Sequence, residues 1–151
     1  MNFNQNNLKS LLSDEDVEQL WNQRAQKSSN GFVGAVYHLG PEFSKANKPI
    51  PFNVEQINNG MEYNNGVFLI LKPGYYRMAT NLKSRDKHLQ YNIVKTSGEE
   101  LIYTYMPAWD ASSTYYVAEL AMFDMISIEL RQEITVGLHP QANLVQIEKI
   151  Y

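Results

Sequence analysis

Apolar residues recur along this chain at two different periods, and the change falls near residue 30. Before it, Val17, Leu20 and Trp21, followed by Ala25, form a narrow stripe at helical spacing. Ser13 and Asp16, three residues apart, make a capping box, with Leu12 as one half of a hydrophobic staple. Acidic Asp14, Glu15, Asp16 and Glu18 crowd the first turns and basic Arg24 and Lys27 the last, which suits the helix dipole. Ser28-Ser29-Asn30-Gly31 ends the helix. A helix of about 14 residues is marginal in water alone. Its stripe must therefore dock on its own domain, on sister copies or on another protein.

After Gly31 the pattern is that of strands. Phe32 to His38, Phe52 to Ile57, Val67 to Lys72, Tyr75 to Leu82, Leu89 to Thr96, Leu101 to Met106, Thr114 to Ala121, Met125 to Gln132 and Leu144 to Tyr151 read as short β-runs. Asn30-Gly31, Asn59-Gly60 and Asn65-Gly66 favour tight hairpins, and Pro73-Gly74 and Ser97-Gly98 mark further turns. Eight or more strands with no second helix predict an antiparallel sandwich or barrel. Ile126, Ile128 and Leu130 alternate with Ser127, Glu129 and Arg131, so that strand has one wet face. Val67 to Leu71, VFLIL, has no polar break and needs a cover on both sides. One side is the sandwich core. For the other, copies of the chain are the expected cover. Val67, Leu69, Leu71, Tyr75, Tyr103, Tyr105, Tyr115 and Tyr116 are the candidate interface, because tyrosine is enriched where proteins meet. The plainer role for some of these rings is to fill a thick core.

The 151 residues suit one domain with a short appendage, divided at 1–30 and 31–151. Hydrophobic residues at 44% and charged residues at 19% exclude intrinsic disorder. A net charge of −3 argues against a basic nucleic-acid surface. There is no cysteine, so disulfides, thiolate metal sites and cysteine nucleophiles are excluded. No apolar run approaches the ~20 residues that cross a bilayer, and the polar, Asn-rich N-terminus is not a secretory signal.

The stretch Pro49 to Tyr76, PIPFNVEQINNGMEYNNGVFLILKPGYY with its preceding lysine excluded, resembles the globular C1q-like domain of the tumour-necrosis-factor-like jelly-roll superfamily. Phe52, Asn58 and Tyr63 match the family's Phe-x5-Asn-x4-aromatic pattern, and Phe68, Gly74 and Tyr76 its Phe-x5-Gly-x-Tyr pattern. Phe52 and Phe68 are expected to point into the sandwich, Gly74 to permit a turn, and Tyr76 to be a core ring with a bonded hydroxyl. Phe123-Asp124 resembles the family's Gly-Asp turn. Met78 and Thr80 stand where the family has aromatics, and no collagen-like tract precedes the domain. Calcium-binding members use two acidic residues in the loop before the strand at Tyr115. Asp110 matches one of them, and no second carboxylate lies in that loop. The N-terminal stretch Leu11 to Gln23, LLSDEDVEQLWNQ, also resembles short Ser-Asp-x-Asp-Val-x-x-Leu-Trp-Asn segments near the start of phage fibre and tail proteins.

Signals of catalysis are absent. His38, His88 and His139 are far apart, with no metal-ligand spacing. The carboxylates at Asp14 to Glu18 and at Glu99-Glu100 are explained by a helix cap and a turn, and Lys83, Arg85 and Lys87 by a solvated loop. Gly-x-Ser-x-Gly, phosphate-binding and dinucleotide motifs are missing. Trp109 and Asp110, in Met106-Pro107-Ala108-Trp109-Asp110, are the candidate recognition loop, although such a Trp more often plugs the end of a sandwich.

The combined expectation is an all-β, C1q/TNF-like antiparallel jelly-roll sandwich with a short N-terminal α-helix. It is a non-enzymatic homotrimeric knob without cofactor or metal. Its expected place is a virion surface, as a phage fibre, decoration or receptor-binding head joined to a larger assembly by Val17, Leu20 and Trp21. The alternative is an extracellular, secreted C1q-like ligand or lectin-like module. Expected partners are itself and a cell-surface glycan or protein, with no nucleic acid and no membrane insertion.

Overall fold

The computed structural model describes residues 13–19, 33–84, 88–95, 99–107, 111–137 and 142–150; for 88, 99–107 and 111–113 it describes the backbone alone. Its strands are β1 (Gly34–His38), β2 (Val54–Asn59), β3 (Glu62–Asn64), β4 (Val67–Leu69), β5 (Gly74–Lys83), β6 (His88–Lys95), β7 (Glu99–Pro107), β8 (Ala111–Leu120), β9 (Met125–Leu130) and β10 (Leu144–Lys149). They form two five-stranded antiparallel sheets, β2-β1-β10-β5-β8 and β3-β4-β9-β6-β7. Consecutive strands stay in one sheet only as the pairs β1–β2, β3–β4 and β6–β7; every other connection crosses between sheets. This is a jelly-roll sandwich.

Period-two alternation explains the layering. On β5, Tyr76, Met78, Thr80 and Leu82 point inward while Tyr75, Arg77, Ala79, Asn81 and Lys83 point outward. Ile126, Ile128 and Leu130 of β9 face them from the other sheet, together with Phe68 and Ile70. An arm of chain, residues 39–52, closes one side. It is pinned by Phe43 to Val136, by the Asn47 N–H to the Leu130 carbonyl (2.8 Å) and by the Ile50 N–H to the Ile128 carbonyl (2.8 Å).

The turns divide by function. Asn65-Gly66 closes the β3–β4 hairpin, with φ of 47° and 93° at its two loop residues, the positive pair of a type I′ turn. Asn59-Gly60 instead carries the chain from the first sheet to the second, so it is not a hairpin. Asn30-Gly31 and Ser97-Gly98 lie outside the described residues. Strand β3 was not foreseen. Its Glu-Tyr-Asn sequence has no apolar alternation to mark it, and only pairing with β4 makes it a strand.

The described helical residues are 14–19. The capping box is present: the Ser13 N–H donates to the Asp16 carboxylate (3.1 Å), and the Asp16 N–H to the Ser13 hydroxyl (3.2 Å). Val17 from this turn is buried against Leu69, Leu71 and Phe123.

Candidate functional site

Four residues of the C1q-like pattern, Phe52, Asn58, Tyr63 and Phe68, gather at one place in the fold. The rings of Tyr63 and Phe68 lie 4.6 Å apart, and Tyr37 of β1 stacks on Tyr63 at 4.1 Å. Tyr63 donates its hydroxyl to the Phe52 carbonyl. Asn58 holds the crossover: its amide donates to the Met61 carbonyl (3.0 Å) and to the Tyr37 hydroxyl (2.9 Å), while its carbonyl accepts from the Met61 N–H (2.9 Å). Tyr37 donates in turn to Glu55 (2.8 Å). Burial, opposed by the Asn58 bond and reinforced by Glu55, pushes the Tyr37 phenol up to about 12. Burial also raises Tyr63 and Tyr76 well above the ordinary phenol range. Tyr76 is fully buried and donates to the Lys72 carbonyl (2.7 Å), closing the turn at Pro73-Gly74. These hydroxyls are protonated, bonded and enclosed, so this knot ties strands together and has no free acid or base to offer. Tyr37 escaped sequence reading because only the fold brings β1 against β3.

The candidate interface residues split between two sheets. Leu69 and Leu71 are 4% and 5% exposed, and their outer side is covered by Val17 and Phe123 of the same chain. The second cover for VFLIL is therefore internal, which corrects their assignment to a contact between copies. Tyr116 is also corrected: it points inward and packs on the main core. Val67 is half-buried at the outer edge of β4. Tyr103 and Tyr105 are on β7, in the second sheet, where the backbone alone is described. Trp109, Asp110, Leu20 and Trp21 lie outside the described residues.

Tyr75 and Tyr115 are different. Both are exposed on the outer face of the first sheet, Tyr115 at 63%. Val117, Val54 and Ile57 are exposed on that face as well. The register proves the common face, since paired residues point the same way. One row across the sheet is Ile57, Val36, Gln146, Ala79 and Tyr115, and the next contains Glu148, Arg77 and Val117. A bulge between Val36 and Tyr37 lets Val54 and Ile57, three apart, share the face. Arg77 and Glu148 form an ion pair in its centre, with Glu148 buried. Val117, Val54 and Ile57 were missed although Tyr115 and Val117 alternate with inward residues; the unbroken VFLIL run was the louder signal.

The helix patch is both apolar and charged. Lys72 pairs with Glu18 at 2.8 Å beside Val17. Burial and the nearby Lys72 charge lower the pKa of Lys149. The turn under the patch, Ala121 to Asp124, is closed by the Asp124 N–H to the Ala121 carbonyl (3.1 Å) and by the Ala121 N–H to the Asp124 carboxylate (2.8 Å). Phe123 occupies its third position at φ 70°, where glycine is the usual residue.

His38 bonds Gln56 through its Nε2 at 2.6 Å. Among the described residues no three His, Asp or Glu side chains converge. No helix among them is long and apolar enough to cross a membrane.

No protein-family model and no curated protein matches this sequence. Solved structures do. Eiger TNF from S. frugiperda superposes with a TM-score of 0.64 at 12% identity, over 80% of this chain and 93% of its own. Murine APRIL gives 0.63 at 15% identity, over 78% and 99%. The globular domain of zebrafish complement 1qA gives 0.63 at 16% identity, over 79% and 98%. With the sheet order above, this settles the architecture: the chain folds as a distant C1q/TNF-like jelly roll.

Proposed function

We propose that this chain is a non-catalytic recognition module that works as a homotrimer, in the manner of an extracellular C1q-like ligand or lectin-like domain. The observation that carries the reading is the outer face of the first sheet, where Val54, Ile57, Tyr75, Tyr115 and Val117 are all exposed. Scattered apolar residues are ordinary on a surface. Five large ones on one sheet face, around an ion pair already half withdrawn from water, favour a face that meets its own copies. Burying Tyr115 and Val117 against a twin removes apolar area from water and completes the enclosure of Arg77–Glu148. Assembly then repeats every surface loop three times. Linked weak contacts gain about 10²–10⁴ in avidity when all can engage together.

A second reading places the same knob on a phage particle. It is favoured by the N-terminal segment from Leu11 to Gln23, whose pattern resembles fibre and tail proteins. There the segment beyond Val17, with Leu20 and Trp21, joins the head to a larger assembly. Neighbouring genes distinguish the two: capsid and tail genes support the second, a cleaved precursor the first.

Light scattering on a dilute solution of the whole chain tests the assembly. A three-chain mass is expected, falling to one chain in Tyr115→Asp/Val117→Asp with the far-ultraviolet spectrum unchanged. A folded single chain in the parent protein overturns the proposal.

A further inference from the structure

The second sheet carries a cleft of about 510 Å³ between the arm and the β3–β4 hairpin. Its size falls within the range of small-ligand pockets, about 300–1,000 Å³. Phe43, Lys45, Lys48, Pro49 and Pro51 of the arm line it, together with Asn64, Asn65 and Val67 of the hairpin and Met125 of β9. The walls are held in place. The arm is bonded to β9 at Asn47 and Ile50. The hairpin packs on it so tightly that a Cβ at Gly66 would lie 2.5 Å from the Ile50 carbonyl oxygen. Two prolines stiffen the remaining wall.

The chemistry of the lining is specific. Among the described residues no carboxylate lines the cleft, and neither Lys45 nor Lys48 has an ion-pair partner. Two ammonium groups lining one cleft, neither paired among the described residues, on a protein of net charge −3, are a local site for an anion. The two amides of Asn64 and Asn65 can each donate and accept, which matches hydroxyl groups. A ring and two proline faces offer flat apolar surface, which matches the C–H face of a pyranose. We infer that this cleft binds an acidic saccharide, its carboxylate between Lys45 and Lys48 and its hydroxyls on Asn64 and Asn65.

This inference rests on the recognition reading and names its ligand class. The cleft lies on the second sheet, so a trimer built through the first sheet leaves all three copies open.

The test is titration of the whole, isotopically labelled chain, followed by amide chemical shifts, with 3′-sialyllactose and trigalacturonate as acidic probes, lactose as the neutral one and hexaglutamate as an acidic peptide. An acidic saccharide is expected to shift Asn64, Asn65 and the arm, and to bind at least about tenfold tighter than lactose. Lys45→Ala/Lys48→Ala should weaken it at least about tenfold and Lys83→Ala should leave it unchanged. The inference is overturned by the absence of cleft shifts up to about 10 mM of either acidic saccharide, by equal binding of lactose, or by binding unaffected by the double substitution. Hexaglutamate binding as tightly as the saccharides also overturns it, since the site then reads peptide charge alone. Light scattering on the same samples separates the two proposals. A trimer that ignores both acidic saccharides removes the cleft assignment only, and a single chain that binds them removes the trimer only.

Discussion

Leu69 on β4 with Leu71 just beyond it, and Tyr115 and Val117 on β8, are all apolar side chains on the outside of a two-sheet sandwich, yet they meet different fates. The first pair lies under Val17 and Phe123 of the same chain and is almost fully buried. The second pair stands open to water on the opposite sheet. The β4 patch is covered within the chain because a capped helical turn places Val17 over it and Glu18 beside Lys72. Nothing among the described residues does the same for β8. Apolar pattern alone thus marks a surface that needs a partner, but does not say whether the partner is the chain itself.

Substitution by Asp should separate the two patches most sharply. Leu69→Asp places a charge in an enclosed apolar site and should cost about 4 kcal/mol or more, enough to lower the melting temperature by about 10 °C or more or prevent folding. Tyr115→Asp, in the open, should change the stability of a single chain by no more than about 0.5 kcal/mol. Equal losses in thermal melts of the two variants would erase the distinction.

Phe123 sharpens the comparison by pitting packing against backbone. Its ring covers Leu69 and Leu71 while its backbone holds a positive φ. Phe123→Ala loses the ring and keeps the strain, at about 3 kcal/mol or more. Phe123→Gly loses the ring but relieves a strain of about 1 kcal/mol, so it should denature at a higher urea concentration than the Ala variant. The reverse order would show that the turn is not strained.

The aromatic knot offers a pH test of enclosure. Tyr37, Tyr63 and Tyr76 are raised in the folded chain, Tyr37 to about 12, whereas unfolded tyrosine ionises near about 10. The unfolded chain releases protons first. The stability these groups contribute is therefore complete below about pH 10 and is lost as pH rises through the folded value. Urea midpoints from pH 8 to 12 should fall above 10, less steeply in Tyr37→Phe. A flat profile would mean that the phenols are not enclosed. The smallest effect belongs to the cap: Ser13→Ala should remove about 1 kcal/mol of local helix stability and raise amide exchange near Val17 without altering the assembly mass.

Much of this fold was legible locally. Ser13 and Asp16 announced a cap, Asn65-Gly66 a two-residue hairpin, and Ile126, Ile128 and Leu130 a strand with one face in the core, because each signal depends only on residues a few positions apart; the opposite face, expected to be wet, has Ser127 buried. Phe52, Asn58, Tyr63 and Phe68 carried the jelly-roll resemblance, and in this chain Tyr63 bonds Phe52 and packs on Phe68 while Asn58 reaches Tyr37, which stacks on Tyr63. The cleft left no trace in the sequence. Lys45 and Lys48 sit in an arm without periodicity, and they meet Asn64 and Asn65 only because the arm bonds to β9, far along the chain.

By itself, then, the order of residues determined where strands begin and turn, and which residues alternate between wet and dry. It also determined that VFLIL needs two covers. Which cover each patch receives was decided in three dimensions. Strand β10 inserts between β1 and β5, aligning Ile57, Gln146 and Tyr115 in one row, and a helical turn from the start of the chain closes over β4. Side-chain periodicity is a local consequence of backbone geometry, whereas the neighbour of a sheet face is set by pairings between distant segments.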